Sequence, residues 1–279
     1  MRGNFGMPSE TPSMSRANTS ASPPAPEESR SKYRIRFAKS DDLRFLSHHD
    51  LMHVFERMFR RAALPLGTTH GFNPRPKLTF ALSLALGLSG RAEVLEIELS
   101  QPLAADEIQA RLRERCPPGL LIHGVRAIEL RASARVRRAL YALRLPTPFP
   151  DLPERCAELL TRTDCWHVRR RPHARRINLR PFIDTLTGQD DRVAMALWIT
   201  PYGAARPEEI AAALGLHDAL DQGAVIERVD LELMDEVPPG TSGPPEIRDA
   251  LEEITTDDEP APAAPRPAPL VGSPLSFET

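Results

Sequence analysis

The sequence predicts an α+β protein: two tandem ferredoxin-like (β-α-β-β-α-β) units, residues 31–131 and 132–236, flanked by disordered tails at 1–30 and 237–279. Three observations carry this prediction. Period-2 and helical hydrophobic patterns follow one another in the order strand, helix, strand, strand, helix, strand, the split arrangement of the ferredoxin-like fold. The same element order returns in the second half, without a repeat of sequence. The 29 prolines of the 279-residue chain concentrate at its ends, in SASPPAPEES and EPAPAAPRPAPLVGSP, and such segments bury too little apolar surface to offset the entropy of ordering.

Each element has its own warrant. In KYRIRFAKS (32–40), Tyr33, Ile35 and Phe37 alternate with Arg34 and Arg36, the pattern of a half-buried strand. A helix starts at Ser47, an N-cap with Asp50 three residues on, and Leu51, Val54, Phe55, Met58 and Ala62 fall on one stripe before Pro65 stops it. The Gly- and Pro-bearing stretch 70–77 reads as a loop, LTFALSLAL after it as a well-buried strand, and VLEIELS (94–100) as an alternating one. A helix over 104–115 turns Ile108 and Leu112 inward and ends at Pro117-Pro118-Gly119; a strand over 120–130 completes the first unit. In the second, a strand over 139–146, a helix over 151–162, a hairpin from CWHVRRR and RRINLRPFIDTL, a strand over 193–200, a helix over 206–216 and a strand over 224–234 repeat the order.

The formal net charge of −2 conceals an asymmetry. Residues 1–29 hold two Arg against three acids and residues 235–279 two Arg against ten, which leaves 32 basic and 25 acidic residues in between. A body of net charge +7 with an acidic tail suits polyanionic partners, or simply a soluble surface of ordinary ion pairs. Cys116, Cys156 and Cys165 form no C-x-x-C and no ligand spacing, so they read as reduced thiols of a cytoplasmic protein. No apolar run approaches membrane-spanning length, and the start of the chain has no signal-peptide character.

Several chemistries lack their motifs. There is no Walker-type or dinucleotide-binding glycine loop, no G-x-S-x-G elbow, no H-E-x-x-H and no cysteine cluster for an iron–sulfur centre. Stand-alone redox, kinase or hydrolase activity is therefore not expected, and no cofactor or metal is assigned to the chain.

Three places could bind. In Gly71-Phe72-Asn73-Pro74-Arg75-Pro76-Lys77, two prolines fix the backbone around Arg75, Arg75 and Lys77 offer charge to phosphate or carboxylate, and Phe72 offers a ring for stacking. The same residues also suit a rigid connector. His48, tucked near the first helix N-terminus with Asp50, could meet an anion or move a proton, or be a plain boundary histidine. The stretch 162–180 carries Arg162, Arg169, Arg170, Arg171, Arg175, Arg176 and Arg180 beside Trp166 and His167, a composition suited to RNA and equally to a solvated hairpin. His49 and His53 stand i, i+4 with Glu56 next along, a metal-compatible spacing on a face open to water.

Phe45-Leu46-Ser47-His48, Asp50-Leu51 and the 71–77 loop, after Tyr33-Arg34-Ile35-Arg36-Phe37, resemble the bacterial radical-SAM-linked protein family, a domain of unknown function fused to or encoded beside B12-binding radical SAM proteins. The likeness covers 32–100 and extends to about 234. Ile177-Asn178-Leu179-Arg180-Pro181 is similar to the family's second basic strand, with Asn178 where an acid would stand. The resemblance implies a B12-binding radical SAM partner, which would carry the iron–sulfur cluster, and implies no activity for this chain. The reading is a non-catalytic accessory protein that binds RNA through the 71–77 loop and the 162–180 arginines. Its rivals are a protein-only adaptor docking an acidic surface and, by fold analogy, a CRISPR-type metal-independent endoribonuclease using His48.

Overall fold

The computed structural model describes residues 30–69, 72–170, 174–247 and 249–253. The first strand, β1 (Ser31–Lys39), buries Tyr33, Ile35 and Phe37 on one face and turns Arg34 and Arg36 to the other. A 3-10 turn over Asp41–Phe45 leads to α1 (His48–Arg61). Ser47 caps this helix, its Oγ accepting from the Asp50 amide at 3.2 Å. Leu51, Phe55, Met58 and Phe59 form its buried stripe, and Phe55 meets Phe37 edge-on with ring centroids 4.8 Å apart. Then come β2 (Leu78–Phe80), β3 (Ser89–Leu99), α2 (Ala105–Arg113), which buries Ile108 and Leu112, and β4 (Leu120–Ile128). β1 lies between β4 and β3, antiparallel to both, and β2 pairs antiparallel with the far flank of β3.

The second half contains β5 (Val136–Arg144), α3 (Leu152–Thr161), β6 (Trp166–Arg169), β7 (Arg175–Asn178), β8 (Ile183–Gln189), β9 (Arg192–Trp198), α4 (Pro207–Ala213), β10 (Val225–Leu233) and β11 (Leu251–Glu253). β10, β5, β9 and β8 are antiparallel neighbours in that order, and β11, β7 and β6 make a separate small sheet. The molecule is thus α+β, with one large mixed sheet and, among the described residues, four α-helices.

Three features differ from the sequence expectation. The strands of the two halves join one sheet, because β10 pairs in parallel with β3 at Glu227↔Ser89 and Arg228↔Gly90. The apolar run after Lys77 is strand only to Phe80, and 81–88 is irregular. Its backbone has another use: the carbonyls of Leu82 and Ser83 accept from Arg228 at 3.0 and 3.1 Å. Parts of the chain after 237, expected within the tail, are held against the body. Arg137 Nε donates to the Ser242 carbonyl at 2.6 Å, Ile247 and Ala250 are buried, and β11 pairs with β7. The rest of both expected tails, 1–29 and 254–279, lies outside the described residues.

The seam between the halves holds a buried ion pair. Arg228 (1% exposed) donates Nε to Glu93 Oε1 at 2.8 Å, and its Nη2 meets Glu93 Oε2. Gly90 makes room for this, since a Cβ there would overlap the Glu93 carboxylate. Removing one member leaves the other charge buried without its partner. Arg228→Met is therefore expected to lower the unfolding free energy by about 3–5 kcal/mol in urea titration. Arg228→Met combined with Glu93→Leu should recover part of that loss, since the carbonyls of Leu82 and Ser83 still lack their donor, and a single variant within about 1 kcal/mol of the parent would remove the pair from this role.

Candidate functional site

The 67–77 segment is a loop with a fixed base and a bare tip. At the base the Gly67 amide donates to the Glu98 carbonyl at 2.8 Å, the Lys77 amide to Gly67 at 2.9 Å and the Glu98 amide to Lys77 at 3.1 Å. Higher up, the Thr69 amide donates to the Arg75 carbonyl at 2.9 Å and the Arg75 amide to Thr69 Oγ1 at 3.1 Å. Above these bonds Phe72 is wholly exposed (106%), and Asn73, Pro74 and Arg75 are exposed too. The Arg75 guanidinium has no partner among the described residues. Lys77 is committed, its Nζ 2.7 Å from Glu98 Oε2. Gly71 and His70 lie outside the described residues.

His48 is half-buried at the start of α1, its ring edge-on to Phe80 at 5.1 Å. Phe80 in turn packs on Phe55 and Phe37, at 5.6 and 6.0 Å. Burial, with the neighbouring His49 and Lys39 charges, pushes the His48 imidazole below its ordinary pKa, so it is neutral at pH 7. The ring makes no hydrogen bond to another described residue, which leaves the imidazole without a carboxylate to orient it. Asp50 is taken up by the Ser47 cap, which holds its carboxyl below the usual range. His53 Nδ1 lies 3.2 Å from Glu56 Oε2. Among the described residues no group of three His, Cys, Asp or Glu is placed to share a metal ion.

Much of the 162–180 cluster works inside the fold. Arg169 is buried and grips Glu209 with two bonds of 2.5 and 2.7 Å, which ties β6 to α4. Arg180 donates to the carbonyls of Leu160 and Ile183 at 2.9–3.2 Å, holding the hairpin exit to α3. Arg162 pairs with Glu158 at 2.6 Å. Arg176 lies over the Trp166 ring at 5.0 Å with Glu252 at 3.6 Å, and Arg175 is half-buried, its Nε without a described partner. Arg170 is exposed, and Arg171 lies outside the described residues. Among the described residues no hydrogen bond or ion pair joins this hairpin to the 67–77 loop, and the His48 ring meets Phe80 in β2, the strand that follows the loop.

Sequence reasoning missed two further groups. Lys39 is 1% exposed, and its ammonium, pushed down by burial, donates to the Leu46 carbonyl at 3.3 Å near the Glu93–Arg228 pair. The alternation that buries Tyr33, Ile35 and Phe37 places it on the same face, a signal that its charge conceals. Arg57, Arg61 and Arg115 line one cleft. The first two read as the solvated face of a helix, and only tertiary packing brings the third beside them.

A family model described as "Uncharacterized protein conserved in bacteria (DUF2344)" matches residues 32–207. No curated protein matches the chain.

Two outcomes follow from this geometry. Phe72→Ala and Arg75→Ala, which remove no described side-chain contact, should leave thermal stability within about 0.5 kcal/mol of the parent. For His48 the folded imidazole binds its proton less readily than the unfolded one, whose pKa is about 6.5. Stability should therefore fall as pH drops through that value, and His48→Gln should flatten the dependence in denaturant melts between about pH 5 and 7.5.

Proposed function

For this chain, which belongs to the bacterial family of uncharacterized conserved proteins (DUF2344), we propose a role as a non-catalytic accessory protein that binds single-stranded RNA at the tip of the 67–77 loop. One observation carries the reading: Phe72 is fully exposed beside the uncommitted Arg75, on a loop whose base is fixed by backbone bonds. A ring and a guanidinium held in that way offer one base a stacking surface and one phosphate a charge. The fixed base lowers the entropy lost on binding. Arg176 on Trp166, with Arg170, supplies a second and weaker set of the same groups.

In this reading the chain works in the cytoplasm beside a B12-binding radical SAM enzyme, which performs the chemistry. The fold is two ferredoxin-like units fused edge to edge. That assignment is supported by the strand orders β4-β1-β3, with β2 on β3, and β10-β5-β9-β8. Among the described residues no helix is long and apolar enough to cross a membrane.

An adaptor reading draws on a different observation. Phe45 and Leu86, 57% and 65% exposed, stand on segments joined by the bond from the Gly87 amide to the Arg44 carbonyl. Neighbouring exposed apolar side chains suit a protein contact.

Fluorescence anisotropy of the full chain with labelled single-stranded RNA, across a salt series, tests the proposal. RNA binding predicts a negative slope of log affinity against log salt. It also predicts a loss of roughly tenfold or more in Phe72→Ala/Arg75→Ala, the worth of one stacked base. No binding at about 50 mM salt, or binding unchanged in the variant, would replace it with the adaptor reading.

A further inference from the structure

The outer side of α1 and the turn between α2 and β4 face each other across a cleft of about 650 Å³. Met58 and Cys116 contribute to its floor, their sulfur atoms 3.8 Å apart. Arg57, Arg61 and Arg115 stand at its rim, against Glu114 as the one carboxylate. All three arginines are exposed, and none has an ion pair or hydrogen bond with another described side chain.

Exposed arginines without such partners occur elsewhere, Arg60 and Arg75 among them, but these three line one cleft, while arginines near by are paired. On α2 itself, Arg111 pairs with Glu107, and Arg113 donates to the carbonyls of Ile122 and His123 at 3.1 Å. On the sheet, Arg34, Arg36 and Arg138 each hold two or more carboxylates. Complementarity to the helix dipole accounts for Arg61, in the last turn of α1. It does not account for Arg57 or for Arg115, which comes from a different element. Arg57 and Arg61 are moreover like charges at i, i+4, which oppose each other along the helix.

We infer that this cleft binds a small organic di- or triphosphate, with the phosphates on Arg57, Arg61 and Arg115 and the apolar part of the ligand against Met58 and Cys116. The volume lies in the range of small-molecule sites. Three planar guanidinium groups match the oxygens of two or three phosphates, where a lone carboxylate would neutralise only one of them. The site is separate from the Phe72–Arg75 tip and stands whether or not RNA binds there.

Titration calorimetry of the full chain with ADP, with pyrophosphate and with adenosine tests it. A second readout is protection of Cys116 from maleimide, followed by mass spectrometry; Cys165, half-buried and outside the cleft, serves as the internal reference. The expected result is ADP binding that shields Cys116, weakens roughly tenfold in Arg115→Gln and further in Arg57→Gln/Arg61→Gln, and is unaffected by Phe72→Ala/Arg75→Ala. Pyrophosphate alone should bind more weakly than ADP. Three results would overturn the inference: no ADP binding at about 1 mM, ADP and pyrophosphate binding alike, or ADP affinity retained without the arginines. Arg60→Gln, outside this cleft, controls for loss of charge on α1, and thermal melts confirm that each variant is folded.

Discussion

Arg228 and Glu93 lie buried where the two halves of the sheet meet, and the layout of the first half depends on them. The β3–β10 ladder runs for only two residue pairs, too short to hold the halves by backbone bonding alone. The guanidinium extends the junction in two directions. It closes on Glu93 within β3, and it takes the carbonyls of Leu82 and Ser83 from the segment that leaves β2. Those carbonyls thereby find a donor without a strand partner. β2 consequently ends at Phe80, and β3 offers one flank to β2 at 95–97 and to β10 at 89–90. The 67–77 loop is rooted on β3 at Glu98, just beyond that division.

The same economy governs the rest of the charge. A body of net charge +7 promises a basic surface, yet several of its arginines are buried or held in ion pairs. Arg34, 1% exposed, is surrounded by Glu96, Asp235 and Glu236, and Arg137 and Arg138 share Glu232. Asp235 and Glu236 follow β10, so their pairs with Arg34 hold that stretch of chain against β1. Buried pairs of this kind contribute little net stability over apolar packing, but they are costly to break singly. They fix which segment lies where. Net charge therefore overstates the basic surface, and the cations left without partners mark the places where an anion from outside would be held.

How much of this the sequence disclosed depends on the range of the forces involved. The first helix was largely legible: Ser47 caps it, Leu51, Phe55 and Met58 line its buried side and Pro65 follows its end, although Phe59 is buried too and Val54 only half so. Short-range capping and periodicity decide those features. The run LTFALSLAL was misleading because apolar content cannot distinguish a strand from an irregular, partly exposed segment whose carbonyls are met by a distant arginine. The end of the packed chain was misplaced for a related reason. Residues 237–250 have the composition of a tail, but Arg137 and the β7 edge are available to receive them. In the 162–180 cluster, composition alone could not divide Arg169 and Arg180, which serve the fold, from Arg170 and Arg176, which face outward.

In the 67–77 loop, the division between a hydrogen-bonded base and the exposed residues 72–75 bears on what those residues are for. Single exposed apolar side chains are common on protein surfaces and need no explanation. Phe72 differs in its setting. Hydrogen bonds hold the backbone below it, Lys77 anchors the exit to Glu98, and Pro74 and Pro76 restrict the chain on either side of Arg75. A connector that only joined α1 to β2 would not need a ring in water at its apex. Ordering a loop costs free energy whether or not its tip makes contacts. Here that cost is met by bonds at the base that leave the ring and the guanidinium free, an arrangement that lowers the entropy of meeting a ligand and contributes nothing to the folded chain itself.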